Sequence, residues 1–236
     1  MKIKDHIIIC HWNSKAVNII KELHAPVVKG KKTIVIIDKD IGEMPKDSEF
    51  DDVYAVHGDP TDDTTLRRAN VAEAYGAIIL ANENEREYAD SKSILIALAI
   101  ENINREVYTC VEVLDSRNIV HFRRTTVDEI ISVNEISEKM LSQASMNPGI
   151  TNFFLELLTF QEQGNEVYRL DLPKNYVGKT FRSLFINLLE KRIILTGLKH
   201  ADSRTPLINP LAGSRFKKGD VIWVIAITKP DIADLK

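Results

Sequence analysis

The stretch His6-Ile-Ile-Ile-Cys10-His-Trp-Asn-Ser-Lys-Ala16, running on to Thr33-Ile-Val-Ile-Ile-Asp38, decides the fold of this 236-residue chain. The apolar run at 7–10 is too short for a helix and rich in β-branched residues, which reads as a buried strand. Ser14 is suited to cap a helix whose apolar positions Ala16, Val17, Ile19, Ile20 and Leu23 form one core-facing side. A second buried strand follows at 33–37, and Asp38 stands 22 residues past Ala16. This is the layout of a dinucleotide-binding βαβ unit, with an acid at the ribose end of its second strand. The glycine fingerprint is missing: His11-Trp12-Asn13-Ser14-Lys15-Ala16 stands where G-x-G-x-x-G is expected. The turn thus supports βαβ folding more strongly than nucleotide binding.

Outward from this unit, strands and helices keep alternating. Strands are expected at 53–56, 77–81, 107–113 and 129–133, and helices at 64–70, 88–100 and 118–124. The spacing implies a Rossmann-like, doubly wound parallel sheet whose ligand crevice lies at the carboxyl ends of the strands. His11, Asp38, Asp59, Asn82, Glu83 and Asp115 all fall at such ends. The texture changes after residue 134. Two helices are expected at 135–146 and 150–160, interrupted by Asn147-Pro148-Gly149, and Gln161 begins a polar linker that runs to Asn165. Strands at 168–172, 193–198 and 221–227 with a helix at 180–189 then form a smaller α+β lobe. The expected division is 1–134 for the sheet domain, 135–165 for a helical crossover and 166–236 for the lobe.

Composition narrows the function classes. The hydrophobic share of 44% and charged share of 28% are those of an ordinary globular chain. A net charge of −3 without a Lys/Arg block argues against nucleic acid as a partner. Cys10 and Cys110 lie inside apolar runs and read as buried thiols of a reducing compartment. No signal-peptide pattern opens the sequence, and no apolar run is long enough to span a membrane.

These residues carry a family resemblance. Ile-Ile-Ile-Cys10-His-Trp-Asn13-x-x-Ala16, Asp38, His57-Gly58-Asp59-Pro60-Thr61, Leu66-x-x-Ala69 and the run 74–79 resemble the N-terminal half of an RCK (regulator of K+ conductance) domain. The run 171–173, Gly178-Lys179-Thr180-Phe181, Asn209-Pro210 and Lys218-Gly219-Asp220-Val221-Ile222 resemble its C-terminal, TrkA-C-like half. The similarity covers nearly the whole chain in order, and is closer to K+ channel domains than to the related Trk/Ktr-type uptake subunits. One departure is His11, where the family usually carries glycine.

The resemblance implies a ligand sensor without catalysis, at the cytoplasmic face of the cell membrane. RCK domains pair through the crossover helices, here 135–160, and eight copies assemble into a homo-oligomeric gating ring. Ligand in the cleft changes the ring's shape and acts on a membrane-embedded K+ pore, either linked or separate. The alternatives are a regulatory subunit of a Trk/Ktr-type uptake transporter and a nucleotide-dependent oxidoreductase. The second finds no His–acid pair or Ser/Tyr–Lys arrangement in the sequence to support it.

Two ligand classes follow for the cleft. An adenine nucleotide such as AMP, ADP or NAD would meet His11, Asn13, Ala16, Asp38 and Asp59, with Asp38 at a ribose hydroxyl. Side chains at the glycine positions disfavour NAD most, because its pyrophosphate must press on the backbone. Ca2+ would meet Asp59, Glu83 and Glu85, hard oxygens from two neighbouring strand ends with no Cys or spaced His that would suit zinc. Some channel RCK domains bind Ca2+ with an acid in the Gly-Asp-Pro-Thr turn and acids after the next strand. Asp59 matches the first feature, and Glu83 and Glu85 match the second approximately.

Overall fold

The computed structural model describes residues 2–232 except 27, 29, 43, 45, 46, 48, 49, 86, 161–163 and 204, with the backbone alone at Glu83. It divides into two compact units, Met1–Pro148 and Gly149–Lys236. The expected crossover segment is therefore shared between them, and residues 161–163 of its polar linker lie outside the described residues.

The first unit is built on six parallel strands. They are β1 (Ile7–Cys10), β2 (Ile34–Asp38), β3 (Val53–His57), β4 (Gly76–Ile79), β5 (Tyr108–Val113) and β6 (Glu129–Ser132), in the spatial order β3-β2-β1-β4-β5-β6. Ile7 pairs with Ile34 on one side and Gly76 on the other, and Cys10 with Ile37 and Ile79. Successive side chains of a strand face opposite ways, so each central strand feeds two cores. Ile8, Cys10, Val35 and Ile37 pack with Leu66, Ile96, Ile100 and Phe122. Ile9, Ile34 and Ile36 pack with Ala16, Ile20 and Phe50. The first core takes α2 (Asp63–Arg68), α3 (Ala89–Ile103) and α4 (Ile119–Phe122); the second takes α1 (Ser14–Leu23). With helices on both faces, the strands read as continuous apolar runs. Gly76 is needed where β4 meets β5, since a Cβ there would stand 2.9 Å from the Tyr108 carbonyl oxygen.

Three local expectations are corrected. Ser14 is the first helical residue of α1; the N-cap is Asn13, whose extended backbone and side-chain oxygen meet the first amides. α2 stops at Arg68 because Asn70 turns left-handed (φ 56°). α4 is a single turn following a 3-10 turn at Ser116–Asn118, and Thr125 Oγ1 donates to the Phe122 carbonyl at 2.7 Å as it ends.

α5 (Val133–Met146) completes the first unit, and α6 (Ile150–Leu158) opens the second; neither has a buried residue in the single chain. In the second unit β7 (Glu166–Asp171), β8 (Ile194–Lys199), β9 (Leu207–Ile208) and β10 (Val221–Ala226) form an antiparallel sheet ordered β7-β10-β8-β9. α7 (Phe181–Leu189) contributes Phe181, Leu184 and Leu188 to its core, against Leu195, Leu198, Phe216, Ile222 and Val224. β9 is absent from the sequence reading. Its trace is Gly197, where a Cβ would come 2.7 Å from the Leu207 carbonyl oxygen. No helix among the described residues is long and apolar enough to cross a membrane.

Candidate functional site

In a sheet of this order the chain leaves β1 in opposite directions toward β2 and β4, so a crevice opens between their carboxyl ends. A cavity of about 190 Å³ lies there, and His11, Asn13, Asp38, Asp59 and Glu85 all line it. Five of the seven residues expected at a ligand site are thus gathered. Ala16 is not among them: it is a fully buried residue of α1, packed into the core. The side chain of Glu83 lies outside the described residues, although its backbone forms the 3-10 turn Glu83–Glu85 that follows β4.

The β1–α1 turn is held by side chains on both sides. His11 adopts a left-handed backbone (φ 76°), a conformation natural to glycine, and its amide donates to the Ile37 carbonyl at 2.9 Å. Its ring is buried, with Nδ1 3.5 Å from Asp38 Oδ2. The Trp12 amide donates to the same oxygen at 3.0 Å, and the Asp40 amide to Oδ1 at 2.7 Å. Burial alone would raise the Asp38 carboxyl, but His11 and the two amides outweigh it and hold it below the usual carboxylate range. Asn13 Oδ1 accepts from the Lys15 and Ala16 amides at 3.0 and 3.1 Å. Lys15 reaches across to Glu112 on β5 at 2.7 Å, and the other oxygen of this buried carboxylate accepts from the Ala81 amide at 3.0 Å.

On the β3 side, Gly58 allows the chain to turn tightly, since a Cβ there would meet the Thr65 side chain at 2.6 Å. Asp59 Oδ1 then accepts from both the amide and the hydroxyl of Thr61, at 2.9 and 2.8 Å. Burial again opposes ionisation, and the Thr61 donors with nearby Lys92 and Lys39 prevail, so Asp59 stays ionised below the ordinary range. Glu85 is ion-paired with Lys92 from the first turn of α3. Lys39 and Lys92 are lining residues that the sequence reading missed. The available signal was position: Lys39 follows the strand-two acid, and Lys92 lies one turn into the helix after the acidic loop.

Chemically the cleft carries carboxylates from β2, β3 and the post-β4 turn, balanced by two lysines and by the carboxamides of Asn82 and Asn84. Oxygen donors of this kind suit a hard cation. Among the described residues no three His, Cys, Asp or Glu side chains stand close enough to hold a metal unaided.

Comparison with known proteins agrees with this architecture. Residues 2–111 match the family model of the calcium-activated potassium channel slowpoke-like RCK domain. The putative potassium channel protein YugO of Bacillus subtilis (strain 168) is 29% identical over 211 residues, covering 88% of this chain and 61% of that protein. The calcium-gated potassium channel TvoK of Thermoplasma volcanium is 26% identical over 241 residues, covering 99% and 65%. The chain thus spans less than two thirds of the length of either relative. The human SLO3 gating ring shares its fold, with a TM-score of 0.72 at 20% identity over 95% of this chain and 44% of that one. Over residues 2–111 the chain matches the RCK domain of potassium channels, and along most of its length it is similar to potassium channel proteins.

Proposed function

We propose that this chain is the ligand-sensing part of a gating ring that regulates a K+ channel, and that it performs no catalysis itself. The ring is an octamer of paired copies at the cytoplasmic face of the membrane, acting on a pore that is covalently linked or separate. The ligand binds in the crevice over the carboxyl ends of β2 and β1, between the turns that follow β3 and β4. Ca2+ is its first candidate and an adenine nucleotide such as AMP or ADP the second.

The observation that carries this reading is Asp59. Both of its Thr61 hydrogen bonds fall on Oδ1, it stays ionised, and it lines the same cavity as Glu85 and the turn that carries Glu83. A divalent cation would compete with Lys39 and Lys92 for these acids, its double charge making it the stronger partner. Ca2+ takes six to eight oxygens, which two acids, the neighbouring Asn82 and Asn84 carboxamides and water could supply together. The similarity to TvoK, a calcium-gated channel, points the same way. Regulation then follows as a population shift, the ring shape that binds ligand more tightly becoming dominant as the cleft fills.

The test is small-angle X-ray scattering from the assembled protein with and without millimolar Ca2+, for wild type and Asp59→Asn. The proposal expects a Ca2+-dependent change of profile in wild type that Asp59→Asn abolishes. Superimposable wild-type profiles would exclude Ca2+ as the ligand that moves the ring.

A further inference from the structure

A βαβ unit of this order ordinarily offers a nucleotide three things. These are free amides at the first helix N-terminus, a backbone that phosphate can approach, and an acid beyond the second strand. Here the chain has engaged all three itself. The Lys15 and Ala16 amides donate to Asn13 Oδ1. At the approach, His11 stands in the left-handed conformation with a side chain that glycine would lack, and it is only 6% exposed. The Asp38 carboxylate takes the Trp12 amide on one oxygen and the Asp40 amide on the other, with His11 Nδ1 beside it.

We infer that His11 and Asn13 are specificity-determining residues, closing the β1–α1 turn against the pyrophosphate of a dinucleotide and leaving the Asp59 side of the cleft to the ligand. The inference rests on the reading of this cleft as the ligand site, and it separates the two ends of the cavity by chemistry. At the helix end, the Asn13 carboxamide oxygen takes the hydrogen bonds that a phosphate oxygen would accept. A phosphate oxygen seated on the Lys15 and Ala16 amides must therefore displace both bonds, and a pyrophosphate pressed on the turn must also displace a packed imidazole. That imidazole is held on one side only: Nδ1 faces Asp38, and Nε2 is buried with no partner among the described residues. Glycine at 11 would suit the backbone better, and glycine is itself an acceptable N-cap. The turn therefore tolerates opening.

The test is calorimetric titration of the full chain with NAD and with AMP, for wild type, Asn13→Asp, Asn13→Gly and His11→Gly/Asn13→Gly. Asn13→Asp keeps the cap, so it should bind NAD no better than wild type. The double variant should bind NAD at least about tenfold more tightly than wild type, the change that one regained charge-assisted hydrogen bond would give. AMP should gain in the same direction and by less. Should the double variant fail to fold, Asn13→Gly alone is expected to show a smaller gain of the same sign. Wild type binding NAD as tightly as the opened variants would overturn the inference. So would a folded double variant, or failing that a folded Asn13→Gly, with no gain. A Ca2+-induced rise in melting temperature, measured on the same samples, reports separately on the proposed ligand, so the two readings fail independently.

Discussion

If the strand-two acid is a structural member of the turn, removing it must cost stability with no ligand present. In the folded chain Asp38 is 15% exposed at its side chain, accepts from the Trp12 and Asp40 amides, and faces His11. Asp38→Ala leaves the partly buried Trp12 amide without an acceptor, a loss of about 1–3 kcal/mol for a donor left unpaired. The Asp40 amide is exposed and recovers its bond from water. We therefore expect about 2 kcal/mol for Asp38→Ala and about 1 kcal/mol for Asp38→Asn, whose amide oxygen still accepts from Trp12. The carboxyl is held below its usual range in the folded state. Its ionic contribution is therefore complete above the unfolded value of about 3.9 and is lost as pH falls through the lower folded value. The gap between wild type and Asp38→Asn should accordingly be full at pH 7 and shrink below about pH 4. Urea denaturation followed by tryptophan fluorescence measures it. The chain has two tryptophans, Trp12 and Trp223, so a Trp223→Phe background reports the first unit alone. The expected result is a lower midpoint with unchanged slope. Asp38→Ala within about 0.5 kcal/mol of wild type at pH 7 would refute the reasoning, as surface substitutions have effects of that size.

Two further outcomes are expected. α6 exposes Phe153 (54%), Leu155 (56%) and Leu158 (73%) with Phe154 beside them, an apolar face that a second copy should cover. Light scattering at tens of micromolar should give at least a dimer for wild type and a smaller species for Phe154→Asp; a wild-type monomer unchanged by the substitution would contradict this. His6 is fully buried, with Nε2 3.0 Å from the Ala69 carbonyl; burial pushes its pKa below the ordinary value, only partly offset by that carbonyl and Asp5. The unfolded chain therefore binds a proton that the folded chain refuses. Stability should fall below about pH 6.5 by up to about 1.4 kcal/mol per pH unit until the lower folded pKa is reached, and His6→Leu should flatten that slope in urea melts.

Much of the fold was legible because its strands obey one rule. The runs at 7–10 and 34–37 are apolar throughout because helices cover both faces of the sheet, and that continuity separates them from surface strands. What escaped was decided by single residues. Asn13 and Ser14 are both good caps, and only the extended backbone at Asn13 selects between them. β9 is two residues long, too short for alternation to register, and shows itself only through the close approach at Gly197. The site followed the same pattern. Strand ends placed His11, Asn13, Asp38, Asp59 and Glu85 around one cavity as topology requires, whereas Ala16 belongs to the core. Lys39 and Lys92 were missed because a lysine beside an acidic residue looks like any solvated surface charge until the fold brings it to the rim of the cleft. Internal partners were invisible at that level, since a capping Asn and an internally bonded Asp look identical in sequence to any others.

Thermal melting with millimolar Ca2+ tests most directly whether the ligand engages the cleft through the acid after β3. Saturation at about a hundredfold excess over Kd stabilises by about 2.7 kcal/mol, enough for a shift of several degrees in a unit of this size. Wild type should show that shift, Asp59→Ala should lose it, and Glu83→Gln should reduce it. A shift of equal size in all three would place the cation elsewhere, and no shift in wild type would contradict Ca2+ as the ligand.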